Sequence, residues 1–264
     1  MLTRVLTAAA LIAALLAALF LLERAAFAAV AGAIVALAGF EWGRLTGMRP
    51  GGAIAYGGAC LAGFAGLAAW GGAPAVALWA AALFWIAIVP WWLARGVAPT
   101  QRPWLRAAGF AALVPAGLGM LALSPQRLLM LLGLVWIADS AAYFAGRAFG
   151  RRRLAPSISP GKTWEGAAGA AALCLIYAII CALLDPALAA RVRGAAWAPY
   201  LAAAALLCAV SIAGDLFESA LKRQAGAKDS GALLPGHGGV LDRIDSATAT
   251  LPLGALLMHG MGAT

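Results

Sequence analysis

The side chains with the greatest capacity for chemistry lie in residues 215–245, which read DLFESALKRQAGAKDSGALLPGHGGVLDRID. If the apolar run before this stretch continues into it as a helix, Asp215, Ser219 and Lys222 share one helical face. The segment 235–239, Pro-Gly-His-Gly-Gly, cannot form a regular helix, because proline and glycine both oppose it. We therefore expect a loop whose bare backbone can approach a ligand closely.

Two carboxylates in this stretch could hold a divalent cation. Asp215 and Asp242 each lie at the end of an apolar run, so both are expected at a membrane surface. Mg²⁺ binds a few carboxylates together with substrate phosphates in preference to an all-protein cage. Positive charge for a polyphosphate would come from Lys222, Arg223, Lys228 and Arg243. The stretch therefore predicts a magnesium and polyphosphate site.

A second stretch, SISPGKTWEG at residues 157–166, contains the Gly-Lys-Thr triplet that ends a phosphate-binding P-loop. The P-loop interpretation fails, because Pro156 stands where its first glycine belongs and an arginine-rich loop precedes it instead of a strand. What remains is a turn leading into a helix near Trp164, with backbone N–H groups and Lys162 available to an anion. The alternative is an ordinary helix cap with a lysine that only marks membrane topology.

Other polar residues have a functional and an ordinary interpretation. Asp139 lies within the apolar run LVWIADSAAYFAG, where an acid is costly and points to function or to an internal partner. Asp245 could cap the last helix, His237 could be a solvated loop residue, and Asp229 could form a surface pair with Lys228. The density of charges and glycines in this part of the chain favours a functional cluster.

The composition predicts the elements that carry these residues. The chain has 264 residues, of which 64% are hydrophobic and 11% charged, with a mean hydropathy of +0.91. A soluble domain carries about 25% charged residues, so we expect an all-α integral membrane protein, a polytopic bundle of about nine transmembrane helices. The four cysteines lie in apolar stretches without metal-type spacing. The candidate spans are 5–22, 25–41, 53–70, 74–93, 107–123, 127–145, 166–184, 198–216 and 246–262.

The distribution of charge predicts an orientation. The net charge is +9, but the nineteen basic residues are scattered between apolar runs and form no single patch, which argues against nucleic acid as a partner. With the N-terminus in the cytoplasm, only four of the nineteen fall in outer loops, as the positive-inside rule requires. Those four are Arg24, Arg127, Arg191 and Arg193. This arrangement puts the loops at 146–165 and 217–245 on the same, cytoplasmic side.

The run from Ser219 to Asp245 resembles the signature of the phosphatidate cytidylyltransferases, or CDP-diacylglycerol synthases. It reads Ser219-x-x-Lys222-Arg223-x₄-Lys228-Asp229-x-Gly231-x₂-Leu234-Pro235-x-His237-Gly238-Gly239-x₂-Asp242-Arg243-x-Asp245. Three further blocks look like parts of the same family: Asp139-Ser-x-Ala-Tyr143, Ser159-Pro-x-Lys162-Thr163-x-Glu165-Gly166 and Glu41-Trp42. The resemblance is strong over residues 127–264. In the N-terminal half it consists only of a succession of predicted membrane spans.

The resemblance implies an enzyme that transfers CMP from CTP to phosphatidic acid and releases pyrophosphate, with Mg²⁺ and room for a second cation. It also implies a homodimer in a bacterial cytoplasmic membrane. By carry-over, Asp215 and Asp242 ligate the metal, and the polar cavity is lined by Ser219, Lys222, Asp229, His237 and Asp245. The residues expected to bind substrate phosphates are Ser159, Lys162, Thr163, Lys222, Arg223, Lys228, Gly238, Gly239 and Arg243, with Asp139 and Glu165 in support.

Two alternatives stay open from the residues alone. A transporter or lipid flippase would carry ionisable residues near the midplane of several helices and repeat symmetry, whereas these charges gather at one face. Another CTP-using membrane enzyme, such as a polyprenol or phytol kinase, needs the same metal and triphosphate but moves the γ-phosphate. For the cytidylyltransferase interpretation we expect residues 1–126 to supply scaffold and lipid access, and residues 127–264 to form the catalytic region that carries the family signature.

Overall fold

The computed structural model describes residues 2–70, 73–234, 236 and 238–260. Proline stands in the first turn of several helices, where its missing N–H costs no intrahelical hydrogen bond. The helices are α1 (Leu2–Leu21), α2 (Arg24–Leu45), α3 (Pro50–Ala69), α4 (Ala73–Leu83), α5 (Val89–Arg95), α6 (Arg102–Ala122), α7 (Pro125–Phe149), α8 (Trp164–Leu184), α9 (Pro186–Arg191), α10 (Trp197–Gln224) and α11 (Leu241–Gly260). A π-helical turn, Phe84–Ile88, joins α4 to α5.

The prediction of a polytopic helical membrane protein is confirmed. Within the described residues, seven helical segments are long and apolar enough to cross a membrane. The other two predicted spans are also helices, but the long apolar part of α1 is only Ala9–Leu21, and α11 begins with charged residues. The seven segments are Arg24–Leu45, Pro50–Ala69, Pro74–Arg95, Pro99–Ala122, Pro125–Phe149, Trp164–Leu184 and Gly194–Gln224.

Small residues let the helices of the first half approach closely. A Cβ atom at Gly57 of α3 would lie 2.5 Å from the carbonyl oxygen of Ala36 and 3.1 Å from the backbone nitrogen of Phe40, both on α2. Such backbone contact is available only to glycine, and it replaces the hydrophobic driving force that lipid surroundings remove. The glycine-rich stretch predicted as a span at 53–70 therefore belongs mostly to a helix, α3, that packs closely against α2.

A β-hairpin interrupts the all-helical architecture before α8. Strand β1 (Arg153–Ala155) pairs antiparallel with β2 (Ser159–Thr163), with Arg153 opposite Thr163. The sequence predicted a turn here, so the strand is a difference, although α8 does begin at Trp164. Thr163 ends the strand by capping α8, since its Oγ1 accepts a hydrogen bond from the Gly166 N–H at 3.0 Å.

Helix α11 ties the two halves of the chain together. Most of its middle is buried, and it packs against α4 and α6 of the first half as well as α7 and α10 of the second. The end of α10 is held in the same way, because Gln224 Nε2 donates to the Leu45 carbonyl oxygen at 2.7 Å. Helices of the first half are therefore in direct contact with α10 and α11, which carry the signature.

At the opposite end of the bundle, a salt bridge offers a test of stability. Arg127, buried on α7, contacts both carboxylate oxygens of Asp185 at 3.0 and 3.1 Å, and Asp185 also accepts the Leu188 N–H. Partial burial opposes ionisation of Asp185, but the Leu188 N–H and Arg127 hold its pKa below the usual value. This contribution is therefore present at neutral pH and is lost as pH falls through the folded-state pKa.

We expect Asp185→Asn to lower the free energy of unfolding by about 1–3 kcal/mol, because asparagine keeps the helix cap but leaves the Arg127 charge unpaired. The measurement is the midpoint of thermal unfolding in detergent at neutral pH. The matched control is Glu23→Gln, since Glu23 is exposed and its side chain makes no cap hydrogen bond. Equal midpoints for Asp185→Asn and the control would contradict the prediction.

Candidate active site

A cavity of about 920 Å³ lies where α1, α7, α8, α10, α11 and the hairpin meet. One part of its wall is apolar and includes Leu11, Ile12 and Leu15 of α1 with Trp136 of α7. The other part carries four carboxylates and four basic groups: Asp139, Asp215, Asp242, Asp245, Arg147, Arg153, Lys162 and Arg243. The cavity can therefore receive a molecule that has one charged and one apolar end.

An ion pair joins the hairpin to α10 at this wall. Lys162 of β2 contacts Asp215 Oδ2, and both side chains are partly exposed. Ser219, one turn further along α10, donates its hydroxyl to Asp215 Oδ1 at 3.2 Å. The predicted shared face of Asp215 and Ser219 is thus present. The cation that pairs with Asp215 is Lys162, which belongs to the second stretch of the sequence analysis, residues 157–166.

Lys222 lies behind the cavity wall and connects α10 to α11. Its Nζ is 2.8 Å from Asp242 Oδ1 and 2.5 Å from Glu218 Oε2. Glu218 is buried, so this ion pair lies in a poorly solvated region where charges interact strongly. Lys222 is thus placed to hold Asp242, and it does not itself line the cavity.

The second oxygen of Asp242 is fixed by the glycine-rich loop. Asp242 Oδ2 accepts hydrogen bonds from Gly239 N at 2.8 Å, Ser230 N at 2.9 Å and Ser230 Oγ at 3.0 Å. Partial burial opposes ionisation, but Lys222 and the two backbone N–H groups lower the pKa of Asp242 to about 2. The carboxylate is therefore ionised and held in one orientation. Gly238, with φ of +78°, lets the loop fold back so that Leu234 N donates to its carbonyl oxygen at 2.8 Å.

A group of acids surrounds Asp215 within the cavity. Asp245 lies inside the first turns of α11 and does not precede the helix, so the alternative interpretation as an N-terminal cap is wrong, and Asp245 instead lines the cavity. Burial and then repulsion from Asp215 and Asp139 raise the pKa of Asp245 to about 7. Asp139 reaches the same cavity from α7. These acids add negative charge to this part of the cavity, which favours a cation there.

Comparison with known proteins decides the family. The sequence profile of the cytidylyltransferase family matches residues 2–261. The chain belongs to the cytidylyltransferase family. A phosphatidate cytidylyltransferase of Pseudomonas aeruginosa is 41% identical over 274 residues, covering 98% of this chain and 97% of that protein. One of Haemophilus influenzae is 37% identical over 276 residues, covering 94% and 95%. A third, of Thermotoga maritima, is 43% identical over 125 residues, covering 47% and 46%.

For this member of the cytidylyltransferase family, the match extends the sequence resemblance beyond residues 127–264. It includes the helices that had looked only like a string of spans, and therefore α1 with its three side chains in the cavity wall. The family match thus covers every element that lines the cavity.

Several predicted site residues lie outside this cavity lining. Arg223 is exposed and donates to the Ile158 carbonyl oxygen at 3.4 Å, which links α10 to the hairpin. Glu165 is half-buried and accepts hydrogen bonds from the N–H groups of Arg151 and Arg152, so it secures the loop before β1. Ser159 pairs with Ala155 in the hairpin. Lys228 and Asp229 are exposed on the loop after α10, and His237 lies outside the described residues.

The structure also brings in residues that the sequence analysis had not assigned to the site. Glu218 is spaced four residues before Lys222, and this spacing alone could have suggested the pair. Arg147 and Arg153 line the cavity although the sequence counted them only as topology markers. Ser230 binds Asp242 from within the signature at a position that the pattern leaves unspecified.

The residues present fit a magnesium ion supplied with substrate phosphates. Asp215 and Asp242 both reach the cavity, and neighbouring Asp139 and Asp245 add negative charge there. Among the described residues no three His, Cys, Asp or Glu side chains converge as metal ligands. A site with few protein carboxylates suits Mg²⁺, because this ion keeps waters and takes further oxygens from phosphates.

Proposed function

We infer that this membrane protein is a CTP:phosphatidate cytidylyltransferase, which transfers CMP from CTP to phosphatidic acid and forms CDP-diacylglycerol and pyrophosphate. The observation that carries the inference is one cavity with a charged and an apolar part, in a chain that aligns over nearly its full length with phosphatidate cytidylyltransferases. The acceptor lipid has the same two-part character, with a phosphate at one end and acyl chains at the other.

The reaction needs positioning and charge neutralisation more than proton transfer. The phosphate of phosphatidic acid is already anionic at neutral pH, so its oxygen attacks the α-phosphorus of CTP without a strong base. The bond from the α-phosphorus to the oxygen bridging the β-phosphate breaks, and pyrophosphate leaves. Holding the two anions in line and neutralising the leaving group supply the catalysis. A covalent nucleophile is unnecessary.

We propose that the basic groups of the cavity wall divide this work. Lys162 can exchange Asp215 for a phosphate oxygen, since the ion pair is partly exposed to the cavity. Arg147, Arg153 and Arg243 supply further positive charge from three different elements. Lys222 keeps Asp242 ionised and oriented. The chemistry that Mg²⁺ supplies when held by Asp215 and Asp242 is neutralisation of the phosphate oxygens.

The cavity also offers the lipid a route from the bilayer. Leu11, Ile12 and Leu15 of α1 and Trp136 of α7 form an apolar wall beside the charged residues. We propose that the acyl chains lie against these side chains while CTP enters from water. The excess of basic residues in loops on one side supports a cytoplasmic location for the charged end. A homodimer is proposed from the family resemblance.

The assay supplies purified protein with CTP labelled in the α-phosphate, phosphatidic acid and Mg²⁺. We expect label in a chloroform-extractable product and release of pyrophosphate. Formation of CDP with a phosphorylated alcohol, when polyprenol or phytol replaces phosphatidic acid, would instead identify a lipid kinase and overturn the proposal. Absence of any turnover with intact, folded protein would also overturn it.

A further inference from the structure

Glu41 is a buried acid that the mechanism above does not use. It lies on α2 in the first half of the chain and is 1% exposed. It is not among the residues that line the cavity. A carboxylate inside a membrane-spanning helix is costly unless it is fully hydrogen-bonded, so its partners indicate what it stabilises.

Within the part of the chain that the structure describes, the hydrogen-bond donors to Glu41 come from the loop that carries the signature and from the start of α11. Glu41 Oε1 accepts from Val240 N at 3.0 Å, and Oε2 accepts from Leu241 N at 2.8 Å and from Ser230 Oγ at 2.9 Å. Leu241 begins α11, so two of these donors are backbone N–H groups at a helix start that lack partners within the helix. Glu41 therefore caps α11 from another helix, with the sign of charge that this end favours.

Ser230 connects Glu41 to Asp242. The Ser230 hydroxyl lies 2.9 Å from Glu41 Oε2 and 3.0 Å from Asp242 Oδ2. A hydroxyl has one hydrogen and can donate to only one of these oxygens at a time. Asp242 keeps the N–H groups of Ser230 and Gly239 in either case. The two carboxylates thus bind the same loop, Glu41 from α2 and Asp242 from α11.

The loop packs so tightly on Glu41 that a side chain at either of two glycines would displace its carboxylate. A Cβ atom at Gly231 would lie 2.7 Å from Glu41 Oε1. A Cβ atom at Gly239 would collide with Ser230 Oγ and both Glu41 oxygens. Gly239, which the sequence analysis attributed to ligand approach, therefore also has an internal reason, which is to admit the Glu41 carboxylate, and Gly231 has the same one.

We propose that Glu41 is a positioning residue for the reaction. It fixes Ser230, Val240 and the start of α11, so that Asp242 is held between Lys222 and the loop at the cavity wall. The first half of the chain thus takes part in building the catalytic site. This inference rests on the function proposed above, because its consequence is measured in that reaction.

The test compares Glu41→Gln and Ser230→Ala with the wild type in the full chain, using Glu23→Gln at the other end of the same helix as the matched control. Glutamine keeps the size of Glu41 but removes its charge and turns an N–H₂ group toward the N–H donors. We expect kcat to fall about ten- to a hundredfold in Glu41→Gln, as for partners that orient a metal ligand. We also expect the Mg²⁺ concentration for half-maximal rate to rise, with the KM for phosphatidic acid unchanged. Ser230→Ala should shift both quantities in the same direction by a smaller factor.

Hydrogen–deuterium exchange supplies a readout that does not depend on activity. We expect faster exchange confined to residues 228–242 in Glu41→Gln, with the thermal midpoint in detergent close to that of the control. A loss of activity that tracks a lower midpoint, with an unchanged Mg²⁺ requirement, would show a merely structural role and overturn the proposal. Normal kcat and normal exchange would also overturn it. If Glu41→Gln does not fold, Ser230→Ala carries the same comparison.

A wild type that makes no CDP-diacylglycerol would overturn the proposed function, whereas an active wild type with unaffected variants overturns only the role of Glu41.

Discussion

Asp242→Asn is expected to lower kcat by about 10³-fold or more while the protein still assembles in the membrane. Asparagine has the same shape but no charge, and its amide must replace one oxygen that now accepts from Lys222 or from the loop. The substitution also removes one of the two carboxylates proposed to hold Mg²⁺. Loss of one preorganised charged group at a phosphoryl site costs about 10²–10³-fold, and loss of metal binding adds to it.

The measurement is the steady-state rate of CDP-diacylglycerol formation over a range of Mg²⁺ concentrations. Glu23→Gln is the control for removal of an exposed acid, since that side chain makes no cap hydrogen bond. Size-exclusion behaviour and the thermal midpoint in detergent show whether Asp242→Asn is folded. Near-normal turnover by folded Asp242→Asn would refute the proposed role of this carboxylate.

Lys162→Met is expected to lower kcat/KM by about 10²-fold, the second largest effect. Methionine preserves the length and apolar contact of the lysine stem. It removes the positive charge that pairs with Asp215. Because Lys162 is proposed to exchange Asp215 for a phosphate oxygen, the substitution removes transition-state stabilisation of charge on phosphate.

Separate KM values for CTP and for phosphatidic acid identify the phosphate that Lys162 binds, because only the affected substrate should bind more weakly. Arg193→Met, which removes an exposed charge on the short segment between α9 and α10, is the control. Lys162→Arg should restore part of the rate, since it restores the charge on a side chain of different shape. An unchanged kcat/KM in Lys162→Met would return Lys162 to the simpler interpretation of a topology marker.

Patterns of short range in the sequence determined much of this protein. The apolar composition and the spacing of apolar runs predicted the helices, because a membrane span requires about 20 consecutive apolar residues. Helical periodicity put Asp215 and Ser219 on one face, and the hydrogen bond between them follows from that local geometry. The run from Ser219 to Asp245 identified the chemistry, since its residues are close in sequence and were read together.

The tertiary structure alone decided which distant groups meet. Lys162 pairs with Asp215 across fifty-three positions, and Glu41 contacts Leu241 across 200 positions. Neither pair follows from periodicity, because helix packing and loop closure set these distances. The hairpin at 153–163 was also missed. Its sequence has the composition of a turn, and its strands are stabilised by their pairing and by the Thr163 cap. The residue types that the chemistry requires could therefore be predicted from short stretches of sequence. Their geometry is set only when α2, α10, α11 and the hairpin pack together.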